Sequence, residues 1–179
     1  MILPTADEEA RFWALLEDTW AAFGPEVDAL RRALVEREPG QEAFEEAAQL
    51  EEHVDQLVES LREVAAGLSA EELTALDRVV ERKLHDLDRE DVHAVTDGSD
   101  DGFLYARGFV VALGRGFYEA VARDPRLAVP DAEAEAFCYL FAHAHADRFG
   151  GFPETGSGIS RESFANPAGW AGQGVPSNA

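Results

Sequence analysis

The sequence is poor in cysteine and has no long apolar run. Its single cysteine, Cys138, cannot form an internal disulfide, and its neighbours Phe137 and Tyr139 are typical of a cysteine that packs as a small apolar residue. No apolar run approaches the roughly 18 residues that a membrane helix needs, and no charged segment followed by an apolar one marks a secretory signal. We therefore expect a cytoplasmic protein.

Positive charge is also scarce, because 15 basic residues face 36 acidic ones and give a net charge of -21. Residues 1–96 hold 25 of the acids and 9 of the bases, a net charge of -16. Such a field repels phosphate backbones and anionic lipids, so we expect neither a nucleic-acid nor a membrane partner. It favours a basic protein, a cationic small molecule or a metal ion, although high charge also serves solubility alone.

The 179 residues, of which 46% are hydrophobic, suffice for a single domain with its own core. Apolar residues recur at helical spacing in six segments. These are residues 6–22, 26–37, 44–68, 70–94, 100–122 and 130–147. The pattern predicts an all-α fold, an irregular bundle of about six helices around one central buried helix at 100–122. Residues 150–179 are rich in Gly, Pro and Ser, which is typical of loop laid over a domain.

One run carries a family resemblance. Residues 96–109, with the sequence TDGSDDGFLYARGF, resemble the signature of the bacterial family called domain of unknown function 4240. Further similarity at Phe12 and Trp13, and at residues 159–163, Asn166 and Trp170, extends over most of the chain. The family name implies no activity. The resemblance at residues 159–170 implies that this segment is ordered and packed, unlike what composition alone indicates.

Within that run, Asp97, Ser99, Asp101 and Gly102 match the first half of a calcium loop. The second half does not match, because Gly108 stands where a bidentate Glu should be. The other interpretation is a helix cap, in which Ser99 caps the buried helix and the following acids lie at its positive end. We favour the cap, which starts the helix at Ser99 instead of delaying it to about residue 105.

Arg107 lies inside the most apolar predicted helix, where an unpaired guanidinium would be costly. We expect a carboxylate partner on the preceding helix, which is Asp86, Asp88 or Asp91. A structural ion pair is the first interpretation of Arg107, and a clamp for an anionic or carboxylate substrate is the second.

The histidines give a weaker signal. His143 and Asp147 are spaced to share one helix face, whereas His145 points roughly opposite, so the three do not form a metal-ligand set on one helix. His85 and His93 also share a face and could border a polar pocket.

Two functions remain open from the sequence. The first is a protein-interaction or regulatory module whose acidic half binds a basic protein partner. The second is an enzyme or a binder of a small ligand or metal. Its predicted ligand-binding residues are His93, Asp97, Asp100, Asp101, Tyr105 and Arg107. We predict no cofactor and no resident metal, and neither catalytic residues nor an oligomeric state follow from the sequence.

Overall fold

The structure, a computed structural model, describes residues 1–96 and 98–171, and its regular secondary structure there is helical. In these two ranges the chain forms nine α-helices and one 3₁₀ turn, without a strand. The α-helices are Ala6–Ala21 (α1), Pro25–Glu36 (α2), Phe44–Ala65 (α3), Ala70–Asp86 (α4), Glu90–Thr96 (α5), Asp100–Ala112 (α6), Arg115–Arg123 (α7), Glu135–Cys138 (α8) and Leu140–Phe149 (α9). The 3₁₀ turn is Pro125–Leu127. The predicted all-α fold class is confirmed.

Two of the helices begin with reciprocal side-chain caps, in which a Thr or Ser is followed three residues later by a Glu. At the start of α1, Thr5 accepts a hydrogen bond from the Glu8 amide, and Glu8 accepts one from the Thr5 amide at 2.7 Å. Ser69 and Glu72 repeat this arrangement at the start of α4. Each box satisfies two backbone N–H groups that a helix start leaves unpaired, which fixes where these helices begin.

The last three predicted helices are each broken in two, so the chain has more helices than the predicted six. The predicted helix 70–94 stops at Asp86 and resumes as α5. The predicted helix 100–122 divides at Gly114, which has a φ of 98°, a conformation that residues other than glycine rarely adopt. The third, 130–147, begins only at Glu135 and is interrupted at Tyr139, where φ is -124°.

The core lies where α4 and α6 meet the other helices. Helix α4 packs against α1, α6, α8 and α9, and α6 packs against α3, α5, α7 and α8. Most of α6 is buried, including Phe103, Phe109 and Val111. The indole N–H of Trp20 in α1 donates to the carbonyl of Ala112 at 2.8 Å, so the end of α6 is fixed to the first helix.

The C-terminal segment, defined as residues 150–171, has no helix but is packed against the domain. Ser157 and Arg161 are buried, and the amide of Ile2 at the other end of the chain donates to the Gly156 carbonyl at 2.8 Å. The packed state that the family resemblance implies for residues 159–170 is thus correct. None of the helices in the described ranges combines the length and the apolar composition that crossing a bilayer requires.

Candidate functional site

The acidic run before α6 forms a helix cap. The Ser99 hydroxyl accepts a hydrogen bond from the Gly102 amide at 3.2 Å, and the helix starts at Asp100. Asp100 and Asp101 are exposed in the first helical turn, where acidic side chains are stabilising. The cap prediction is confirmed. A calcium loop would have delayed the helix to about residue 105, and the observed start at Asp100 contradicts that interpretation. Asp97, also a predicted site residue, lies outside the described residues.

His93 lies in an aromatic cluster, which we define as His93, Phe103, Phe164 and Trp170. Its ring centroid is 4.9 Å from that of Phe103, 5.6 Å from that of Trp170 and 5.7 Å from that of Phe164. The ring Nε2 lies 2.9 Å from the Gly98 carbonyl oxygen, to which it donates when it carries the proton. The cluster joins α5 and α6 to the C-terminal segment, so His93 has a packing role there.

Arg107 is fully buried, as predicted, but its partners are not the predicted ones. Its Nη1 donates to the Leu84 carbonyl at 2.7 Å and to the Arg161 carbonyl at 3.1 Å, while Nη2 donates to the Ser163 hydroxyl at 2.9 Å. Its Cζ lies 4.6 Å from the centre of the Phe103 ring. Burial lowers the pKa of Arg107 against an opposing effect of the nearby Asp88 charge.

The predicted ion pair of Arg107 is therefore wrong, because no carboxylate within the described ranges comes within ion-pair distance of it. Each predicted partner is engaged elsewhere. Asp86 pairs with Arg82 at 2.8 Å, and Asp91 pairs with Arg89 at 2.6 Å. Carbonyl groups at the end of α4 and in the C-terminal segment take the place of the carboxylate.

Asp88 is completely buried between α4 and α5 and holds the C-terminal segment. Its carboxylate accepts hydrogen bonds from the Phe164 amide at 2.9 Å, the Asn166 amide at 2.8 Å and the Trp170 indole at 3.0 Å. Three donors satisfy a charge that would otherwise be costly to bury.

A second buried acid, Asp77, forms an ion pair that sequence reasoning missed. Both of its oxygens accept hydrogen bonds from Arg161, at 3.0 and 2.7 Å, and Arg161 also donates to the Cys138 carbonyl at 2.6 Å. Both side chains are almost fully buried, and the Asp77 charge raises the pKa of Arg161. The available signal was the position of Asp77, one residue after Leu76 and within the inward-facing stripe of α4.

Glu81 continues this row of acids on the inner side of α4. Its Oε2 accepts hydrogen bonds from the Thr155 hydroxyl at 2.7 Å and the Ser157 hydroxyl at 2.5 Å. Nearby, the Nδ1 of His85 lies 2.9 Å from the Ser160 carbonyl oxygen. We call Asp77, Glu81 and Asp88 the inner acids; all three bind the C-terminal segment.

Five clefts on the described surface lie away from the predicted ligand-binding residues. They measure about 180 to 500 Å³, and none of these five is lined by His93, Asp100, Asp101, Tyr105 or Arg107. The Tyr105 hydroxyl donates instead to Glu135 at 3.2 Å. The structure thus brings Arg107 and His93 together around Phe103 in a filled junction, and leaves the two α6 acids at the surface.

The histidines on α9 point in different directions, as the helical spacing predicts. His143 and Asp147 line the same cleft, whereas the Nδ1 of His145 lies 2.6 Å from the Gly151 carbonyl oxygen. Over the residues that the structure describes, no three His, Cys, Asp or Glu side chains are grouped so that they could hold a metal ion.

Comparison with known proteins gives one match. A family model described as "Protein of unknown function (DUF4240)" covers residues 41–149, which span α3 to α9 and include the run that starts α6. No curated protein and no solved structure matches the chain. The chain therefore belongs to the DUF4240 family, whose description assigns no activity.

Proposed function

We propose that the protein is an interaction module that binds a basic protein partner through the outer side of α3. We define this surface, the acidic face, by five exposed residues. They are Glu45, Glu52, Asp55, Glu59 and Glu63. The proposal rests on one observation: α3 carries seven acidic side chains and one arginine, a net charge of -6, and its exposed carboxylates are mostly left without cationic partners.

The pairing within the acidic face is sparse. Glu59 forms an ion pair with Arg62. In the described ranges, Glu45, Glu52, Asp55 and Glu63 take part in no ion pair and accept no side-chain hydrogen bond. A cationic partner could bind these four carboxylates without first breaking intramolecular pairs, which would otherwise reduce the gain in binding free energy.

The acidic face is held on a rigid support. Buried residues on the opposite side of α3, among them Leu50, Val54, Leu57 and Leu61, fix the helix to the core. At 1.5 Å per residue, Glu45 and Glu63 lie about 27 Å apart along the helix axis. The carboxylates therefore form a long, fixed stripe that complements an extended basic surface, and the field of the whole protein accelerates its approach.

The test compares two variants that each lose three glutamates and one aspartate. The first carries E45Q, E52Q, D55N and E63Q on α3; the control carries D18N, E26Q, E36Q and E38Q on other exposed positions. Binding of a decalysine peptide, and of any protein captured with the wild type, is measured by calorimetry at several salt concentrations. We expect the first variant to bind more weakly than the control, and binding to weaken steeply with salt. Equal loss in both variants, or salt-independent binding, contradicts the proposal.

The alternative function, an enzyme or ligand site around Asp100, Asp101 and Arg107, has less support. The guanidinium of Arg107 donates to three carbonyls and one hydroxyl, and the C-terminal segment occupies the space beside it. A clamp for a carboxylate substrate would need those donors free. We further propose a cytoplasmic location, with which the free, buried thiol of Cys138 is compatible.

A further inference from the structure

A cleft of about 460 Å³ lies where the end of α3 meets α8 and α9. Part of its lining is small and apolar, from Ala66, Ala136, Leu140 and Ala144. Its volume falls in the range of sites that hold small organic molecules. None of the residues of the acidic face lines it, so it is a separate feature of the surface.

Two aromatic rings line the cleft and are held in place from outside it. The His143 ring stacks on Phe152, with 5.4 Å between ring centroids and 16° between ring planes. The guanidinium of Arg161 lies 4.9 Å from the centre of the Tyr139 ring. Neither Phe152 nor Arg161 lines the cleft itself. The rings are therefore ordered before any ligand arrives, which reduces the entropy that binding would cost.

The positive charges that line the cleft already have partners. Arg62 forms an ion pair with Glu59. Arg148 donates to the carbonyl of Ala65, the last residue of α3, at 2.9 Å, and to that of Leu68 shortly after it. These carbonyls are at the negative end of the helix dipole, so the charge of Arg148 is partly compensated there.

The negative charges that line the cleft are less compensated. Glu135 accepts a hydrogen bond from the Tyr105 hydroxyl at 3.2 Å and forms no ion pair in the described ranges. Asp147 has neither a hydrogen-bond donor nor a cationic partner among the side chains that the structure describes. The unsatisfied charge around this apolar space is therefore anionic, in a protein whose net charge of -21 attracts cations.

We propose that this cleft binds a small amphipathic cation. Its ammonium group pairs with Asp147 and is further favoured by Glu135, while its compact apolar body packs against the alanines, Leu140 and the two rings. The charge of Asp147 and the apolar lining together determine which ligands bind. An anion of the same shape meets two carboxylates, while Arg62 and Arg148 are already bound by Glu59 and by backbone carbonyls. A hydrophilic cation gains nothing from the alanines. This inference goes beyond the protein-interaction function and does not depend on it.

Calorimetry with two cations and one anion tests the inference. Tryptamine and 1-aminoadamantane supply an ammonium group on a flat and on a globular apolar body, and indole-3-propionate supplies the opposite charge. We expect at least one of the cations to bind at millimolar concentration or below, and to bind more tightly than the anion. Asp147→Asn should weaken cation binding by about tenfold, the effect of losing one charge-assisted hydrogen bond.

Two further variants separate this site from general attraction to an acidic protein. Asp18→Asn removes the same charge from an exposed position on α1 and should leave the affinity nearly unchanged. Ala136→Phe fills the cleft from an exposed position and should abolish binding while the melting temperature is retained. The inference is overturned if neither cation binds, if the anion binds more tightly, or if Asp147→Asn and Asp18→Asn have equal effects.

Discussion

Helices α3 and α4 are both rich in acids but use them in opposite ways. In α3 the acids face solvent, and four exposed carboxylates have no cationic partner in the described ranges. In α4, four of the five acids are bound by donors within the molecule. Glu72 pairs with Arg11, Asp77 with Arg161 and Asp86 with Arg82, and Glu81 accepts two hydroxyl donors.

The position of each acid relative to the apolar stripe of its helix decides whether the acid faces solvent or binds a donor within the molecule. The number of acids matters less. In α3 the exposed acids alternate with the buried Leu50, Val54 and Leu57 and always point away from them. In α4, Asp77 is itself on the buried side, next to Leu76. A buried carboxylate must be satisfied by donors, whereas an exposed one is satisfied by water and remains open to a partner.

The largest expected effect is the loss of the buried pair in α4. Asp77→Ala removes the carboxylate that binds the buried Arg161 guanidinium through two hydrogen bonds and leaves only Glu81, at 3.9 Å, as a counter-ion. We therefore expect the free energy of unfolding to fall by about 3 to 5 kcal/mol. The matched change in α3, Glu52→Ala, should alter it by no more than about 0.5 kcal/mol. Urea denaturation of both variants measures the difference, and a loss below about 1 kcal/mol for Asp77→Ala would contradict the comparison.

A second readout for the same variants comes from the lone thiol. Burial raises the pKa of Cys138 to about 12, so in the native state it is neither accessible nor ionised near neutral pH. Modification by a thiol reagent then reports opening of the core beside Arg161. We expect Asp77→Ala to accelerate modification and Glu52→Ala to leave its rate unchanged.

A substitution of Asp88 tests whether this inner acid holds the C-terminal segment against the domain. Asp88→Ala leaves the Phe164 amide, the Asn166 amide and the Trp170 indole without their acceptor. We expect a loss of about 2 to 3 kcal/mol, since some of these donors will reach water. Hydrogen exchange should become faster at residues 164–170 and stay unchanged in α3. Unchanged exchange in the segment would show that its packing does not depend on Asp88.

Local signals in the sequence predicted much of the fold. The all-α class and the cap at Ser99 follow from residue spacing over three or four positions. The break between α4 and α5 and the break at Gly114 were not predicted, and at both places the chain contacts residues that are distant in sequence. Asp88 binds residues about 80 positions later, and a Cβ on Gly114 would lie 2.2 Å from a carboxylate oxygen of Glu17.

The candidate site was harder to predict for the same reason. The apolar run around Arg107 correctly indicated burial, but its partners include the carbonyl groups of Leu84 and Arg161. Every residue has a backbone carbonyl, so the sequence does not show which of them accept a hydrogen bond from Arg107. The pair of Asp77 and Arg161 joins residues 84 positions apart. Only the inward position of Asp77 hinted at it, since no helical pattern covers the segment that contributes Arg161.

A smaller effect is expected where a polar side chain serves the fold from an exposed position. Ser99→Ala removes the acceptor of the Gly102 amide at the start of α6 and should cost about 1 kcal/mol. Calcium should leave the melting temperature unchanged, because a cap gives the folded state no added affinity for the ion. A calcium-dependent rise in melting temperature that is lost on Asp101→Asn would contradict this prediction.

The smallest effect concerns Glu72, a half-buried acid of α4 that pairs with Arg11. Hydrogen bonds from Arg11 and from the Ser69 amide and hydroxyl lower its pKa from 4.5 to about 2. A carboxyl with a depressed folded-state pKa stabilises the fold above its unfolded pKa, and this contribution is lost as pH falls through the folded value. The window therefore lies between about pH 4.5 and 2.

Melting temperatures of the wild type and Glu72→Gln, measured from pH 6 to pH 2, test this contribution. The variant should melt below the wild type at pH 6, and the two curves should converge as Glu72 becomes protonated, because glutamine resembles the protonated acid. Glu63→Gln in α3 is the matched control and should not melt below the wild type at pH 6, since Glu63 has no cationic partner in the described ranges. A Glu72→Gln difference that stays constant down to pH 2 would show that the charge of Glu72 contributes nothing beyond its hydrogen-bond geometry.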